Sequence, residues 1–195
     1  MCQAGQVDSV DVKAFFEQVS ARWDDMRLSF YNADVIDALA GHGRVTASSR
    51  VLDVGTGTGF VAAGLAGRAA TVIGIDNSPA MLAVAAGNLA ALGAGNVTLA
   101  EGELDRLPLP DDSVDVAVAN MVLHHAPDPA AMVAEMARVV RPGGTIAITD
   151  AVEHPYEWMR TEQADIWLGF TPEQVRGYFQ QGRLAEYGYA PLGMQ

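Results

Sequence analysis

The sequence contains one cysteine, Cys2, and one lysine, Lys13. A single cysteine excludes an internal disulfide and a cysteine-rich metal site, and it is typical of a reducing compartment. Basic residues are also scarce, since 12 Lys and Arg stand against 24 Asp and Glu, for a net charge of -12. Because this charge repels phosphate groups, we expect neither nucleic acid nor an anionic membrane surface as a partner.

Long apolar runs are missing as well. No uninterrupted apolar stretch approaches the roughly 18 residues of a membrane-spanning helix, and the first ten residues lack the basic stretch and apolar core of a signal peptide. Half of the 195 residues are hydrophobic and 18% are charged, which is typical of a folded chain with a sizeable core. We therefore expect one soluble, cytoplasmic domain.

The N-terminal part of the chain is predicted to be helical. Apolar residues recur there at spacings of three and four, as on one face of an amphipathic helix. These residues are Val12, Phe15, Phe16, Val19 and Trp23. A shorter helix over 32–43 follows and is stopped by its glycines. We expect residues 1–45 to form a helical lid on residues 46–195, within a single domain overall.

From residue 50 onward, short apolar β-rich runs alternate with helical segments. Ser78-Pro79, Asp128-Pro129 and a capping box at Thr171 each mark the start of a helix. This alternation predicts an α/β fold with a doubly wound, mostly parallel sheet. The expected strands are 50–54, 70–76, 96–101, 114–122 and 145–150, with a further candidate at 185–192.

Three glycines, Gly55, Gly57 and Gly59, directly follow the first buried strand. They favour a turn into a helix at which a ligand approaches the backbone, although a tight turn without a ligand is the simpler interpretation. Their spacing is G-x-G-x-G, not the G-x-G-x-x-G of dinucleotide folds. Asp53, at the mouth of the turn, would repel a pyrophosphate but suits a ligand with an ammonium or sulfonium charge.

Asp76 ends the next strand, about 20 residues after the glycine turn, where an acid that binds ribose hydroxyls is expected. A helix cap is the alternative role for Asp76, but Ser78 is better placed for it. The two acids and the turn together favour a nucleoside ligand that carries a positive charge.

Four stretches, "VLDVGTGTG", "GIDNSPAML", "EGELDRLPLPDDSVDVAVANMVLHH" and "MARVVRPGGTIAITD", resemble those of class I S-adenosylmethionine-dependent methyltransferases. The nearest resemblance is to the small-molecule group typified by ubiquinone and menaquinone biosynthesis enzymes, and it covers Val51 to Asp150. It implies a Rossmann-like sheet, S-adenosylmethionine as the cofactor, S-adenosylhomocysteine as the product and a small-molecule methyl acceptor.

The resemblance also implies which residues hold the methionine and ribose parts of the cofactor. Asp53 and the backbone of the three glycines would bind the methionine part. Asp76 would accept hydrogen bonds from both ribose hydroxyls, with Asn77 beside it.

Further residues are implied at the adenine and the sulfonium. Met81 would pack on one adenine face, with ordinary helix packing as its alternative role. Glu103 and the backbone of Leu104 would contact the adenine edge, although many relatives have Asp in place of Glu103. Asn120 and Leu123 would line the pocket opposite the sulfonium.

Methyl transfer from a sulfonium is an in-line displacement, so the protein supplies alignment and, where needed, a base. The base candidates near strand ends are His124, His125, Asp150 and His154. Adjacent histidines project differently, and the family pattern favours His124 over His125 as the cavity residue. His154 is the second catalytic candidate, with anchoring of a surface loop as its simpler role. The histidines have no metal-ligand spacing, so no metal is predicted.

The lid is expected to cover the cofactor, with Trp23, Arg27 and Tyr31 in contact with the ligands or packed on the sheet domain. A small neutral or cationic organic acceptor fits the acidic chain. Residues 154–179 also resemble methyltransferase domains found with metalloid-resistance regulators, but arsenite methylation in such enzymes needs several cysteines and Cys2 stands alone.

Two other functions stay open. One is a catalytically silent S-adenosylmethionine-binding module with a regulatory or scaffolding role, and the other is a nicotinamide oxidoreductase, which the glycine spacing disfavours. The family sheet has seven strands, whereas this sequence ends just after its sixth candidate. We therefore expect the seventh strand to be missing or supplied by another chain, and an open sheet edge that favours a homodimer.

Overall fold

Five parallel strands form the centre of the computed structural model, which describes residues 9–193. The order across the sheet is β3-β2-β1-β4-β5, and every neighbouring pair is parallel. The predicted doubly wound, Rossmann-like fold is confirmed. The strands are β1 Arg50–Val54, β2 Thr71–Asp76, β3 Val97–Glu101, β4 Val114–Asn120 and β5 Val140–Thr149.

Eight α-helices accompany these strands in the described part of the chain. Three of them begin at the predicted caps: Ser78 and Asp128 each accept a backbone N–H of the first turn, and Thr171 forms a capping box with Gln174. The helices are α1 Ser9–Val19, α2 Trp23–Met26, α3 Asp34–His42, α4 Phe60–Ala66, α5 Pro79–Leu92, α6 Pro129–Val139, α7 Trp158–Glu162 and α8 Pro172–Gln181. None of them, within residues 9–193, is long and apolar enough to cross a membrane.

The sheet buries apolar side chains on both faces, as expected of parallel strands covered by helices. Leu52 and Val54 of β1 belong to one core cluster, which also includes Met132 and Met136 of α6. Val51 of β1 belongs to the opposite cluster, together with side chains of α3 and α4. Successive side chains of a strand point to opposite faces of the sheet, so β1 packs against helices on both sides.

The candidate sixth strand is wrong, because residues 185–192 form no strand in the structure. Tyr187 explains where this segment lies instead. Its hydroxyl donates to the carbonyl of Pro172, and its ring packs edge-on against Phe179 of α8. The segment therefore packs against α8 instead of joining the sheet. Among the described strands, β5 pairs only with β4.

The single N-terminal amphipathic helix is also wrong in detail. Instead, α1 ends at Val19, and the chain continues through a 3-10 turn, the short α2 and a second 3-10 turn at Arg27–Ser29. The interruption lets Asp24 hydrogen-bond to Thr58 and Asn88, which lie on other elements. Such long-range bonds override the helical periodicity of the sequence.

Candidate functional site

A cavity of about 320 Å³ opens beyond the carboxyl ends of β1, β2 and β4. Ligands of open α/β sheets bind at this edge, beside the point where the strand order reverses, and here the reversal falls between β1 and β4. The volume lies within the range of small-molecule sites. The predicted site residues that line the cavity are Asp53, Gly55, Gly57, Asp76, Asn77, Met81, Glu103, Leu104 and Asn120.

The three glycines of the loop after β1 differ in what they provide. All have positive φ, but a Cβ at Gly55 would lie 2.4 Å from a methyl group of Val122. A Cβ at Gly59 would lie 3.2 Å from Cβ of Ala85 in α5, and Gly59 does not line the cavity. Only Gly57 faces open space, with Nε1 of Trp23 as its nearest neighbour at 3.9 Å. Gly59 thus lies against α5 and outside the cavity wall, and its backbone contact with the methionine part of the cofactor stays a prediction.

Asp53 lies at the end of β1 and is 1% exposed. Burial raises the pKa of its carboxyl to about 7, against the hydrogen bond from Thr56, and the charge of Asp76 adds to the increase. The Thr56 hydroxyl donates to Asp53 Oδ2 at 2.7 Å. No basic side chain forms an ion pair with Asp53 in the described residues. A cationic ligand group would stabilise the ionised form of this carboxyl.

Asp76 ends β2 and is held by two backbone groups. Its Oδ2 accepts the Gly57 N–H at 2.8 Å, and its Oδ1 accepts the Ser78 N–H at 2.9 Å. The hydroxyl of Ser78, and not Asp76, caps α5 by accepting the N–H of Met81. Burial raises the pKa of Asp76, although these backbone hydrogen bonds lower it. Each carboxylate oxygen retains a lone pair for a ligand hydroxyl.

The N-terminal helices cover the cavity. Val12 and Phe16 of α1, Trp23 of α2 and Tyr31 all contribute to its wall. Asp24 connects this cover to the loop and to α5, because it accepts hydrogen bonds from the Thr58 hydroxyl and the Asn88 amide. The guanidinium of Arg27 lies 3.7 Å from the ring centroid of Phe60 and does not reach the cavity wall.

Several known proteins are similar to this chain. A family model described as a methyltransferase domain matches residues 52–148. A ubiquinone biosynthesis O-methyltransferase of Saccharophagus degradans is 36% identical over an alignment of 166 residues, and the match covers 78% of this chain and 66% of that protein. The crystal structure of the YcgJ protein of Bacillus subtilis has a TM-score of 0.71 at 25% identity and covers 79% of this chain and 69% of that one. The chain belongs to the class I S-adenosylmethionine-dependent methyltransferases.

An arsenite methyltransferase of Halobacterium salinarum is 42% identical over an alignment of 106 residues, and the match covers 53% of this chain and 27% of that protein. Two uncharacterised mycobacterial methyltransferases, of Mycobacterium avium and Mycolicibacterium paratuberculosis, are each matched over 47% of their length. The chain thus spans at most about half the length of these curated relatives.

S-adenosylmethionine is the cofactor of this methyltransferase, and the wall of the cavity fits it chemically. Its ammonium group matches Asp53, a buried carboxyl without an ion-pair partner in the described chain. The ribose hydroxyls match the free lone pairs of Asp76. Asn77 donates to Glu103 at 3.0 Å, and these two side chains line the cavity together with the apolar Met81.

The histidine that lines the large cavity is His125, not the predicted His124. The side chain of His124 turns away because its Nδ1 lies 2.7 Å from Oδ1 of Asp150. Burial lowers the pKa of His124, but the charges of Asp150 and Asp165 and the hydrogen bond that His124 donates to Asp150 raise it overall. Burial and the neighbouring His124 hold the pKa of His125 well below its usual value.

Two other predicted site residues also lie outside the cavity. Leu123 is 1% exposed within the core cluster of α6, and its N–H donates to Asp150. His154 is half-buried in the segment after β5, stacks on Tyr156 at 5.1 Å and accepts that residue's N–H. Neither residue lines the large cavity, because one faces the core of the sheet and the other the protein surface.

Phe16, Val122 and His125 also line the cavity, although the sequence does not predict them as site residues. Phe16 belongs to the apolar face already noted in the first helix, so its periodicity was a usable signal. His125 is a base candidate of the sequence, but the family pattern favours its neighbour His124 as the cavity residue. Val122 had no signal, because its position depends on a close contact with Gly55.

Proposed function

We propose that this chain transfers the methyl group of S-adenosylmethionine to a small organic acceptor. The observation that carries the proposal is the pair of carboxylates at the large cavity, the buried Asp53 and the half-buried Asp76, on either side of Gly57. A buried acid without an ion-pair partner among residues 9–193 suits the ammonium of the cofactor, and an acid held by backbone N–H groups suits its ribose. Membership of the methyltransferase family supports the same assignment.

We assign the remaining cofactor contacts by their positions along the cavity. Met81 and Leu104 provide apolar surface for the adenine, and Glu103 with Asn77 provides polar groups for its edge. Asn120 lies at the end of β4 with its amide oxygen engaged by the Thr149 hydroxyl at 2.8 Å. Its amide nitrogen is then the group available to the methionine part of the cofactor.

When bound, the cofactor supplies an electrophilic methyl group on its sulfonium. The chain's own residues position that group and exclude water. We propose that residues 1–45, of which the structure describes 9–45, act as a lid on the domain 46–195. The rings of Phe16, Trp23 and Tyr31 are the part that closes over the ligands. Asp24 would hold the lid closed through Thr58 and Asn88.

The acceptor would enter at the end of the cavity bounded by Tyr31, Met121 and His125, away from the ribose acid. The wall there is aromatic and apolar, which suits a small organic molecule. Arsenite is a poorer acceptor for this chain, although an arsenite methyltransferase is among its relatives, because the only cysteine of the sequence is Cys2. Thiolates are the ligands that hold a soft metalloid.

We also propose that the molecule self-associates through the β5 edge. Within the described residues β5 pairs only with β4, and an unpaired edge strand favours pairing with a second copy. Light scattering at several concentrations tests this proposal. A monomer at all concentrations would contradict it.

Incubation with methyl-labelled S-adenosylmethionine and a library of phenols, quinols, amines and arsenite tests the proposed reaction. We expect label in at least one organic acceptor and none in arsenite. Label in arsenite alone would contradict the acceptor class. Binding of the cofactor without transfer to any acceptor would instead favour a catalytically silent binding module.

A further inference from the structure

The fold brings two adjacent histidines and a distant aspartate together beside the cofactor cavity. His124, His125 and Asp165 each offer one possible ligand atom, and these atoms lie within 4.8 Å of one another. All three residues are buried. The proposed cofactor contacts make no use of this cluster, and the spacing of histidines in the sequence gave no indication of it because Asp165 comes from the segment after α7.

Asp165 carries an unsatisfied buried oxygen. Its side chain is 3% exposed, and its Oδ1 has no hydrogen-bond partner in the described part of the chain. The nearest polar ring atom, Nε2 of His124, is 3.7 Å away, which is too long for a hydrogen bond. A buried carboxylate oxygen in this state is costly unless a cation or a water molecule occupies the space before it.

Both histidine rings are oriented by acceptors on their Nδ1 side. Nδ1 of His124 lies 2.7 Å from the Asp150 carboxylate, and Nδ1 of His125 lies 3.2 Å from the carbonyl oxygen of Ala164. Because both partners accept, we assign the proton of each neutral ring to Nδ1, which leaves a lone pair on Nε2. Metal-binding histidines have this arrangement, in which the second nitrogen donates to a carboxylate or a backbone carbonyl.

A small cavity of about 20 Å³ lies between these three side chains and is also lined by Met159 and Gln163. This volume suffices for one ion or one water molecule. Tyr31 and His125 line both this cavity and the larger one. An ion at this position would therefore lie next to the end of the large cavity to which we assign the acceptor.

We propose that His124, His125 and Asp165 bind one divalent transition-metal ion. Two imidazole nitrogens and one carboxylate suit zinc, cobalt or iron(II) better than magnesium or calcium. Zinc–nitrogen bonds of about 2.0–2.1 Å place tetrahedral ligand atoms roughly 3.3 Å apart. Nε2 of His124 and Oδ1 of Asp165 are 3.7 Å apart, so these two atoms need to approach each other only slightly to bind the same ion. Three protein ligands leave a position for a water or an acceptor atom.

Metal titration of the full chain, after chelator treatment and dialysis, tests this proposal without any methyl acceptor. Calorimetry with Zn²⁺ is expected to give one ion per chain, and Co²⁺ to give the strong visible absorption of a tetrahedral site. Mg²⁺ is expected not to compete. Absence of saturable Zn²⁺ and Co²⁺ binding, or equal binding of Mg²⁺, would overturn the proposal and leave the space to water.

Variants assign the binding to these residues. Asp165→Asn and His125→Gln are each expected to lower Zn²⁺ affinity by more than about tenfold. Asp150→Asn removes the carboxylate that orients His124 and also accepts the Leu123 N–H, and it is expected to lower Zn²⁺ affinity by about 10- to 100-fold. Glu162→Gln is the matched control, since it removes the same charge from an exposed position on α7 and should leave affinity unchanged. Circular dichroism checks folding, and wild-type affinity in folded Asp165→Asn would refute the site. If the wild-type chain binds Zn²⁺ at this site but transfers no methyl group to any acceptor, the proposed function alone is contradicted.

Discussion

Replacing Asp76 with alanine removes the carboxylate to which we assign the ribose of the cofactor. In the structure the Gly57 and Ser78 N–H groups already hold this carboxylate in place, so its affinity for a ligand includes no cost of ordering the side chain. A hydrogen bond to a charged group contributes about 1.5–3 kcal/mol. Because 1.4 kcal/mol corresponds to tenfold in Kd, we expect Asp76→Ala to weaken binding by roughly 10- to 150-fold.

Calorimetric titration with S-adenosylhomocysteine measures this change directly. Glu186→Ala is the matched control, because it removes the same charge from an exposed position outside both cavities. Its affinity should equal that of the wild type. Thermal unfolding shows whether each variant is folded. Wild-type affinity in a folded Asp76→Ala protein would refute the placement of the ribose and, with it, the orientation of the cofactor in the cavity.

The other predictions concern the glycine loop, the buried acid and the lid. Gly57→Ala adds a Cβ that faces the cavity at a residue with φ +54, so it should weaken S-adenosylhomocysteine binding. Gly59 has φ +82 and lies beside α5, so Gly59→Ala should mainly lower the free energy of unfolding, by about 1–2 kcal/mol. Calorimetry and denaturant unfolding separate the two effects. Because the pKa of Asp53 is raised to about 7, the ligand ammonium should bind more tightly as pH rises from 6 to 8. Below pH 7, ligand binding should release a proton from the Asp53 carboxyl, and Asp53→Asn should abolish this release. The same raised pKa stabilises the ligand-free fold at low pH, and this contribution should be lost as pH rises from about 4 through 7. Asp24→Ala removes the bonds to the glycine loop and α5 and should expose Trp23 to fluorescence quenchers.

Each of these predictions has an outcome that would contradict it. Equal effects of the two glycine variants on ligand affinity would mean that Gly59 also contacts the cofactor. An affinity that does not vary with pH between 6 and 8 would show that Asp53 is ionised before the ligand arrives or does not contact the ammonium. Unchanged quenching in Asp24→Ala would show that packing alone holds the lid closed.

The sheet could be predicted from the sequence because its signals are local. Apolar β-rich runs, the Ser78 and Asp128 caps and the capping box at Thr171 each act within a few residues. The absence of a strand at 185–192 could not be predicted in this way, since Tyr187 holds this segment against α8 through its hydrogen bond to the carbonyl of Pro172. The break after Val19 likewise depends on long-range bonds, which no periodicity reports.

The site residues that lie at the ends of strands could be predicted from the sequence. Asp53 and Asp76 follow from their positions at the ends of β1 and β2, and both line the cavity. His124 turns towards Asp150, and Gly59 lies against Ala85. These contacts join different elements, so sequence spacing does not show them. The cluster with Asp165 was missed for the same reason, since sequence spacing cannot show that the segment after α7 returns to the histidines.

Calorimetric titration of one sample with S-adenosylhomocysteine, S-adenosylmethionine and NAD tests the central claim most directly. The paired acids around Gly57 predict saturable binding of the first two ligands, one per chain, and no binding of NAD, whose pyrophosphate Asp53 would repel. Binding of NAD alone would contradict both the cofactor and the proposed methyl transfer.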